Sequence, residues 1–494
     1  MNKNSRFLLS SGISLMATLA VGLPDTSAAT GPEILEAVKA SDHHTLSALI
    51  ATGADVDAPQ GDGATALHWA AYRTDGVAVD LLLNAGASVN VQNDLGATAL
   101  WLAASGGDAT IVTRLIEAGA DPGLALHTGE TSLMAASRAG ATRAVRRLLD
   151  NGAAVNAREH ERGQTALMWA AAQRHSDVAR LLLAYGADPH ARSSVWSQLE
   201  NTAGNTNGSG NFEMAHGGSS PVLFSARNGD VETAAVLFEF GADVDSTAAS
   251  GTSALVVATH SGHTDLAVYL LEQGADPNAA DAGYTALHAA ILRGDLPLVV
   301  ALLDHGATPD TPIARGTPGR RFSADYSIRH QAVGAGALWL AAKYGELEMV
   351  RLLAKRGASA HVVPYSGESS LQAAMGSPRI SQENRRNRVG APFTDQDQEE
   401  ADALEMARLL RELGVDMSAA NDQGNTALHD AVRRGFKTLV VYLAEQGAEL
   451  NVTNQRGQTP LALAESPQPV YGTNGLRTTR PEIATFLRGL GASN

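Results

Sequence analysis

The feature that most constrains this chain is that it repeats itself. "GATALHWAAYRTDGVAVDLLLNAGASVN" begins at Gly63, "GATALWLAASGGDATIVTRLIEAGADP" at Gly96, "GETSLMAASRAGATRAVRRLLDNGAAVNA" at Gly129 and "GQTALMWAAAQRHSDVARLLLAYGADPHA" at Gly163. Further copies start at Gly251, Gly283 and Gly424, and contiguous copies lie 32 to 34 residues apart. A fixed period of this size means stacked units, each too small to bury its own apolar face. The 494 residues therefore do not require the several separate cores that length alone would suggest.

Each unit reads as a turn and two short helices. Gly63 or Gly163 permits the turn. Thr65 or Thr165 is placed to cap the first helix, where the leading amides have no partner. Leu67 with Ala70 and Ala71 falls on one helical face, and the small alanines admit a close neighbour. Leu81 and Leu82 give the second helix its apolar face, and Gly86 ends it. About twelve such units are expected between residues 30 and 494. The first has a polar helix, "PEILEAVKASDHH", as suits an end facing solvent.

The pattern of a turn glycine, T-x-L-H-x-A-A and a second helix closing in L-L-x-x-G-A-D resembles the ankyrin repeat family, and the secreted bacterial type in particular. The usual proline after the threonine is here mostly alanine. The resemblance implies an all-α solenoid of helix-turn-helix units joined by short β-turn or hairpin connections. It also implies a structural hydrogen-bonding role for His68, His288 and His429; Trp101 and Trp339 occupy the same position and read as structural. The residue after that position points toward the concave side. It is Trp69, Leu102, Ala135, Trp169, Phe224, Val257, Ala289, Leu340, Ala373 and Asp430 in successive units.

Composition narrows the functional class. A formal charge of −15 argues against general nucleic-acid binding, which needs a concentrated basic surface. The absence of cysteine excludes thiolate metal sites, cysteine nucleophiles and disulfides. The N-terminus, "MNKNSRFLLSSGISLMATLAVGLPDTSAAT", carries Lys3 and Arg6, then an uncharged apolar run, then Ser27, Ala28 and Ala29. That is the order of a secretory signal, so residues 1–29 are expected to be removed. The mature chain is expected to be a monomer without membrane insertion, in the periplasm or secreted from a bacterial envelope.

Three inserts break the period, at about 194–217, 312–333 and 378–400, with a smaller one at 467–479. The first two replace the turn between repeats and are about 30 Å apart if layers stack at about 10 Å. The third falls between the two helices of one repeat. Trp196, Phe212 and Met214 in the first, and Phe322, Tyr326 and Ile328 in the second, are residues that plain linkers rarely carry. Arginines cluster in the second (Arg315, Arg320, Arg321, Arg329) and third (Arg379, Arg385, Arg386, Arg388), where "DQDQEE" can neutralise the latter.

No nucleophile elbow, phosphate loop, zinc helix or calcium loop is present in the sequence. His43 and His44 beside Asp42 match no metal spacing, and the repeated Asp of "GAD" (Asp55, Asp121, Asp188, Asp243, Asp276) fits turn chemistry. No catalytic residue, cofactor or metal is therefore expected. The expected function is capture of a protein partner by Trp69, Tyr72, Arg73, Leu102, Trp169, Phe224, Arg227, Leu340 and Tyr344, with the inserts closing over the groove. Two alternatives remain open on sequence. One is an exported effector acting on a host protein. The other is an enzyme whose site is built from Glu213, His216, Asp325, His330 and Glu383 of the inserts.

Overall fold

A computed structural model describes residues 31–201, 211–318, 327–375, 396–469 and 477–493. The expected signal segment lies outside them. Among the described residues there are twenty-four α-helices in twelve consecutive pairs. Ala66–Tyr72 with Gly76–Asn84, and Ala99–Ser105 with Ala109–Glu117, are typical. The chain is thus the all-α solenoid that the period implies.

Local chemistry sets the ends of each helix. Thr98 is extended and its Oγ1 accepts from the Trp101 amide at 3.1 Å, capping the first helix of its pair. Asp75 and Asp295 cap second helices in the same way. Gly86, at φ 85°, leaves the helix in the left-handed region. Gly63, at φ 78°, also needs its missing Cβ for space, since one would lie 3.2 Å from Asn93 Cα in the next turn.

The core runs unbroken from Ile34 to Leu487. First helices pack on first helices and second on second, with Leu67, Ala70, Ala71 and Leu82 buried. The turns are tied along the array by the main chain. Asp94 N–H donates to Asp62 O at 2.9 Å, His127 to Leu95 at 2.9 Å and His160 to Thr128 at 2.7 Å. The Asp residues of "GAD" serve their own turns: Asp55 accepts from the Asp57 amide at 3.0 Å, and Asp188 from His190 at 2.8 Å. Asp42 caps the helix His43–Ala51, and His43 pairs with Asp75 at 2.7 Å.

The inserts hold more structure than a loop reading suggests. The first is an antiparallel hairpin of β1 (Val195–Asn201) and β2 (Asn211–Gly217), with Val195 opposite Gly217 and Asn201 opposite Asn211. The flanks of the second insert Ile313 and Ile328 into the core and pair Thr317 N–H with Ile328 O at 2.9 Å. Phe322, Tyr326, Arg320 and Arg321, and the arginines of the third insert, lie outside the described residues. The long helix Gln396–Glu412 starts inside the range expected for that third insert. Its first two turns are tied to the next repeat. Glu399 makes a buried ion pair with Arg434, and Glu400 accepts from the Leu439 amide at 3.1 Å. The smaller insert closes through β3 (Gln468–Pro469) and β4 (Arg477–Thr478).

Candidate partner-binding surface

The first helices form the side expected to be the hollow of the solenoid, and one recurring position fixes how they sit. At His68, Nδ1 faces both the Thr65 amide (3.1 Å) and its hydroxyl (2.9 Å), while Nε2 reaches the Ala97 carbonyl of the next repeat at 2.9 Å. His429 repeats this with Thr426 and the Gln458 carbonyl. Trp339 does half the work through Nε1, which donates to the Glu368 carbonyl at 2.8 Å. Gln372 does all of it: its Oε1 accepts from Ser369 N–H at 3.0 Å and its Nε2 donates to Asn425 O at 2.7 Å. Three chemically different side chains therefore perform one linking task. Burial disfavours the imidazolium at all three histidines and takes His288 down to about 4.

The next position lines the hollow only in part. Trp69, Trp169, Val257 and Asp430 reach the surface. Leu102, Phe224 and Leu340 do not: they are buried, so the expectation that they anchor a partner is corrected. Phe224 packs with Met168, Ala171 and Ala191, with Trp169 against them. Leu340 is 1% exposed in the same core as Ile313 and Ile328, which the second insert supplies. Close packing of the alanine-rich first helices means that the neighbouring repeat decides whether this side chain is covered, as Phe224 is, or left accessible, as Trp69 is.

Trp69 and Tyr72 are brought together, ring centroids 5.9 Å apart and nearly perpendicular. Tyr72 is 37% exposed and Arg73 beside it is exposed. Trp69 Nε1 donates to Gln60 Oε1 at 3.1 Å, and Lys39 Nζ stands 4.9 Å from its ring centre. Arg138 covers Trp169 at 4.6 Å and pairs with Glu130 at 3.1 Å. Burial pushes the Glu130 carboxyl up, with Arg138 opposing. Arg227 is exposed and lies 5.7 Å from Phe224, while Tyr344 is half-buried on a distant repeat. Sequence reading missed Lys39 and Arg138, although the signal was present. Each ends the first helix of the repeat before its tryptophan.

Farther along, Asp430 is raised to about 6 by burial, against the pull of Arg433 at 2.9 Å. Lys343 is lowered by burial, with Glu368 opposing at 3.8 Å. Among the described residues no cluster of His, Asp or Glu could hold a metal ion.

The hairpin arm lies over the turns rather than standing free. Pairing puts Trp196, Gln198 and Glu200 on the same face as Phe212, Met214 and His216. That face touches the array at its two ends, with Arg162 4.4 Å from Trp196 and Arg315 5.3 Å from Phe212, while Gln198 between them stays exposed. The two inserts, expected about 30 Å apart, therefore touch because the first spans the distance. His216 stacks on Trp196 and pairs with Glu200 at 3.2 Å. Glu213 is on the opposite face and exposed. His330 is exposed in a short 3₁₀ turn, and Asp325 and Glu383 lie outside the described residues.

Stacked helix pairs with turns tied edge to edge define a repeat solenoid with an extended binding surface. A family model for ankyrin repeats in three copies matches residues 34–125, 100–193, 222–313 and 399–469, and a single-repeat model matches 334–363. The chain belongs to the ankyrin repeat family, whose repeats form scaffolds for protein–protein interaction. The matched segments leave out the hairpin arm and most of the other inserts. The chain is 31% identical to the B-cell lymphoma 3 protein homolog of Mus musculus over 39% of this chain and 35% of that one. It is 24% identical to the E3 ubiquitin-protein ligase KEG of Arabidopsis thaliana over 50% of this chain and 16% of that one. It is 29% identical to Ankyrin repeat and SOCS box protein 16 of Homo sapiens over 48% and 56%. In each case the likeness spans less than two thirds of the relative's length. Among the described residues no helix is long and apolar enough to cross a membrane.

Proposed function

We propose that the chain is an exported scaffold that holds a protein partner in the hollow along its first helices, flanked by the hairpin arm, with no bond chemistry of its own. The Trp69–Tyr72 pair carries this reading. An exposed tyrosine edge-on to a half-buried tryptophan, rimmed by Lys39 and Arg73, offers an apolar anchor point bordered by cations. Such a rim suits a partner that presents an apolar side chain beside carboxylates. Trp169 with Arg138 gives a second point of the same kind.

Export rests on the basic, apolar and small-residue order of residues 1–29, and puts the protein in the periplasm or outside the cell. A photo-crosslinking amino acid at position 72 tests the surface, with the same group at Val77 on a second helix as control. Position 72 is expected to trap a partner and position 77 is not; the reverse pattern contradicts the proposal. N-terminal sequencing of the cell-envelope fraction is expected to begin at Thr30. An intact N-terminus in the cytoplasm contradicts export.

A further inference from the structure

The arm presents a sheet edge that nothing in the described chain uses. Among the described residues, the main-chain groups of Val195 to Glu200 pair with β2 and with no other segment. Free edges are normally blunted by lysine, proline or a bulge. "VWSQLEN" has none of these, and its one charge, Glu200, faces the array. Val195 and Leu199 stand on the outward face at 61% and 63% exposure. The other edge is less available, because β2 is more deeply placed and Gly217 O accepts from Ala249 N–H at 3.0 Å.

The edge is also held in place. At the base, Ser193 N–H donates to Ser219 O and Ser219 N–H to Ser193 Oγ, both at 3.0 Å. Toward the far end, Arg315 anchors Phe212. A two-stranded ribbon is marginal alone, so a template fixed at both ends gains from a third strand.

Charge selects the strand. The Arg162 main chain bonds Ser194 at 2.6 Å, and its guanidinium lies over Trp196. Arg158 donates to the Arg192 carbonyl beside it, and both Arg158 and Arg162 are exposed. Of the two carboxylates in that turn, Glu159 is buried and accepts from the amides of Glu161, Arg162 and Gln164, which leaves Glu161 exposed. With Arg192, also exposed, three guanidiniums stand against two carboxylates, so the start of β1 carries a net positive charge in an otherwise acidic chain. An antiparallel strand would bring its C-terminal end to that spot.

We propose that the outer edge of β1 docks an extended segment of a partner protein, antiparallel, with apolar residues at alternate positions and an acidic C-terminal end. The proposal rests on the scaffold reading and adds the form in which part of the partner is held. Side chains of one parity would lie beside Val195 and Leu199, and those of the other beside Trp196 and Arg162.

The test uses the full chain and a fluorescent seven-residue peptide, matched to the seven residues of β1, that alternates threonine and valine and ends in two glutamates. Saturable binding is expected, with slowed amide exchange in β1. Leu199→Lys, Arg162→Glu and a central proline in the peptide should each weaken binding about tenfold or more. Tyr72→Ala should leave it unchanged. Absence of saturable binding, or binding indifferent to Leu199→Lys and to the proline, overturns the proposal. Self-association of the free chain abolished by Leu199→Lys would assign the edge to a second copy and overturn it as well. If the peptide fails while crosslinking from position 72 persists, the strand site falls and the hollow stands.

Discussion

Asn156 holds the next repeat through both ends of its side-chain amide: Nδ2 donates to the Gly186 carbonyl at 3.0 Å, and Oδ1 accepts from the Asp188 amide at 2.9 Å. Asn90 does the same to Gly119 and Asp121, and Asn278 to Gly306 and Thr308. Asp57, Asp245, Asp310, Ser418 and Asn451 each make one arm of the link. Asn156→Ala loses both bonds at an exposed site, so stability should fall by about 1 kcal/mol. A urea titration followed by circular dichroism checks this, with native helix content unchanged.

The link is missing in three places. Gly123 has no side chain, and His190 and His361 make no such bond among the described residues. At His190 the junction is bridged instead by Arg192, which donates to the Gly218 and Thr247 carbonyls. The amides of Ala154 and Asp416, which face the unbridged gaps, should therefore exchange faster than those of Asp121, Asp188 and Thr308. Hydrogen exchange read by mass spectrometry decides this, and equal rates count against it.

The buried histidines set an acid limit. An unfolded histidine takes its proton near 6.5, whereas burial holds His288 to about 4, against a main-chain contact at Thr311 that favours the proton. Between those values the unfolded chain binds more protons. The contribution of this site is complete above 6.5 and shrinks as pH falls toward 4, by about 1.4 kcal/mol per unit. His68 and His429 act in the same direction. His288→Gln, the side chain found at the equivalent position 372, should flatten the thermal midpoint between pH 6.5 and 4.

Arg138 and Trp169 should couple. With the guanidinium 4.6 Å from the ring centre and both groups partly exposed, a double-mutant cycle with Arg138→Gln and Trp169→Leu should give about 0.5–1 kcal/mol. Additive losses would mean that the cation merely rests beside the ring.

Much of the fold was legible because one period carried it. Thr65, Leu67, Ala70 and Gly86 each state their local role, and the same roles recur. The surface was less legible for a geometric reason. Whether the residue after the linking position is exposed depends on the neighbouring repeat, so Trp69 stays accessible while Phe224 is covered by Met168 and Ala191. The hairpin was obscured by composition. The Asn- and Gly-rich centre at 201–211 hid the alternation of "VWSQLEN" and "NFEMAHG", whose pairing puts Trp196 opposite His216. Cations such as Lys39 lie thirty residues from the ring they cover, beyond any local pattern.

The central claim is that a partner sits in the hollow at Trp69 and Tyr72. The most direct measurement is the affinity of the partner crosslinked from position 72 for the Tyr72→Ala, Arg73→Ala double variant, with Val77→Ala as reference. The account predicts a loss of about tenfold or more in the double variant and none in the reference. Equal affinity for all three proteins would contradict it.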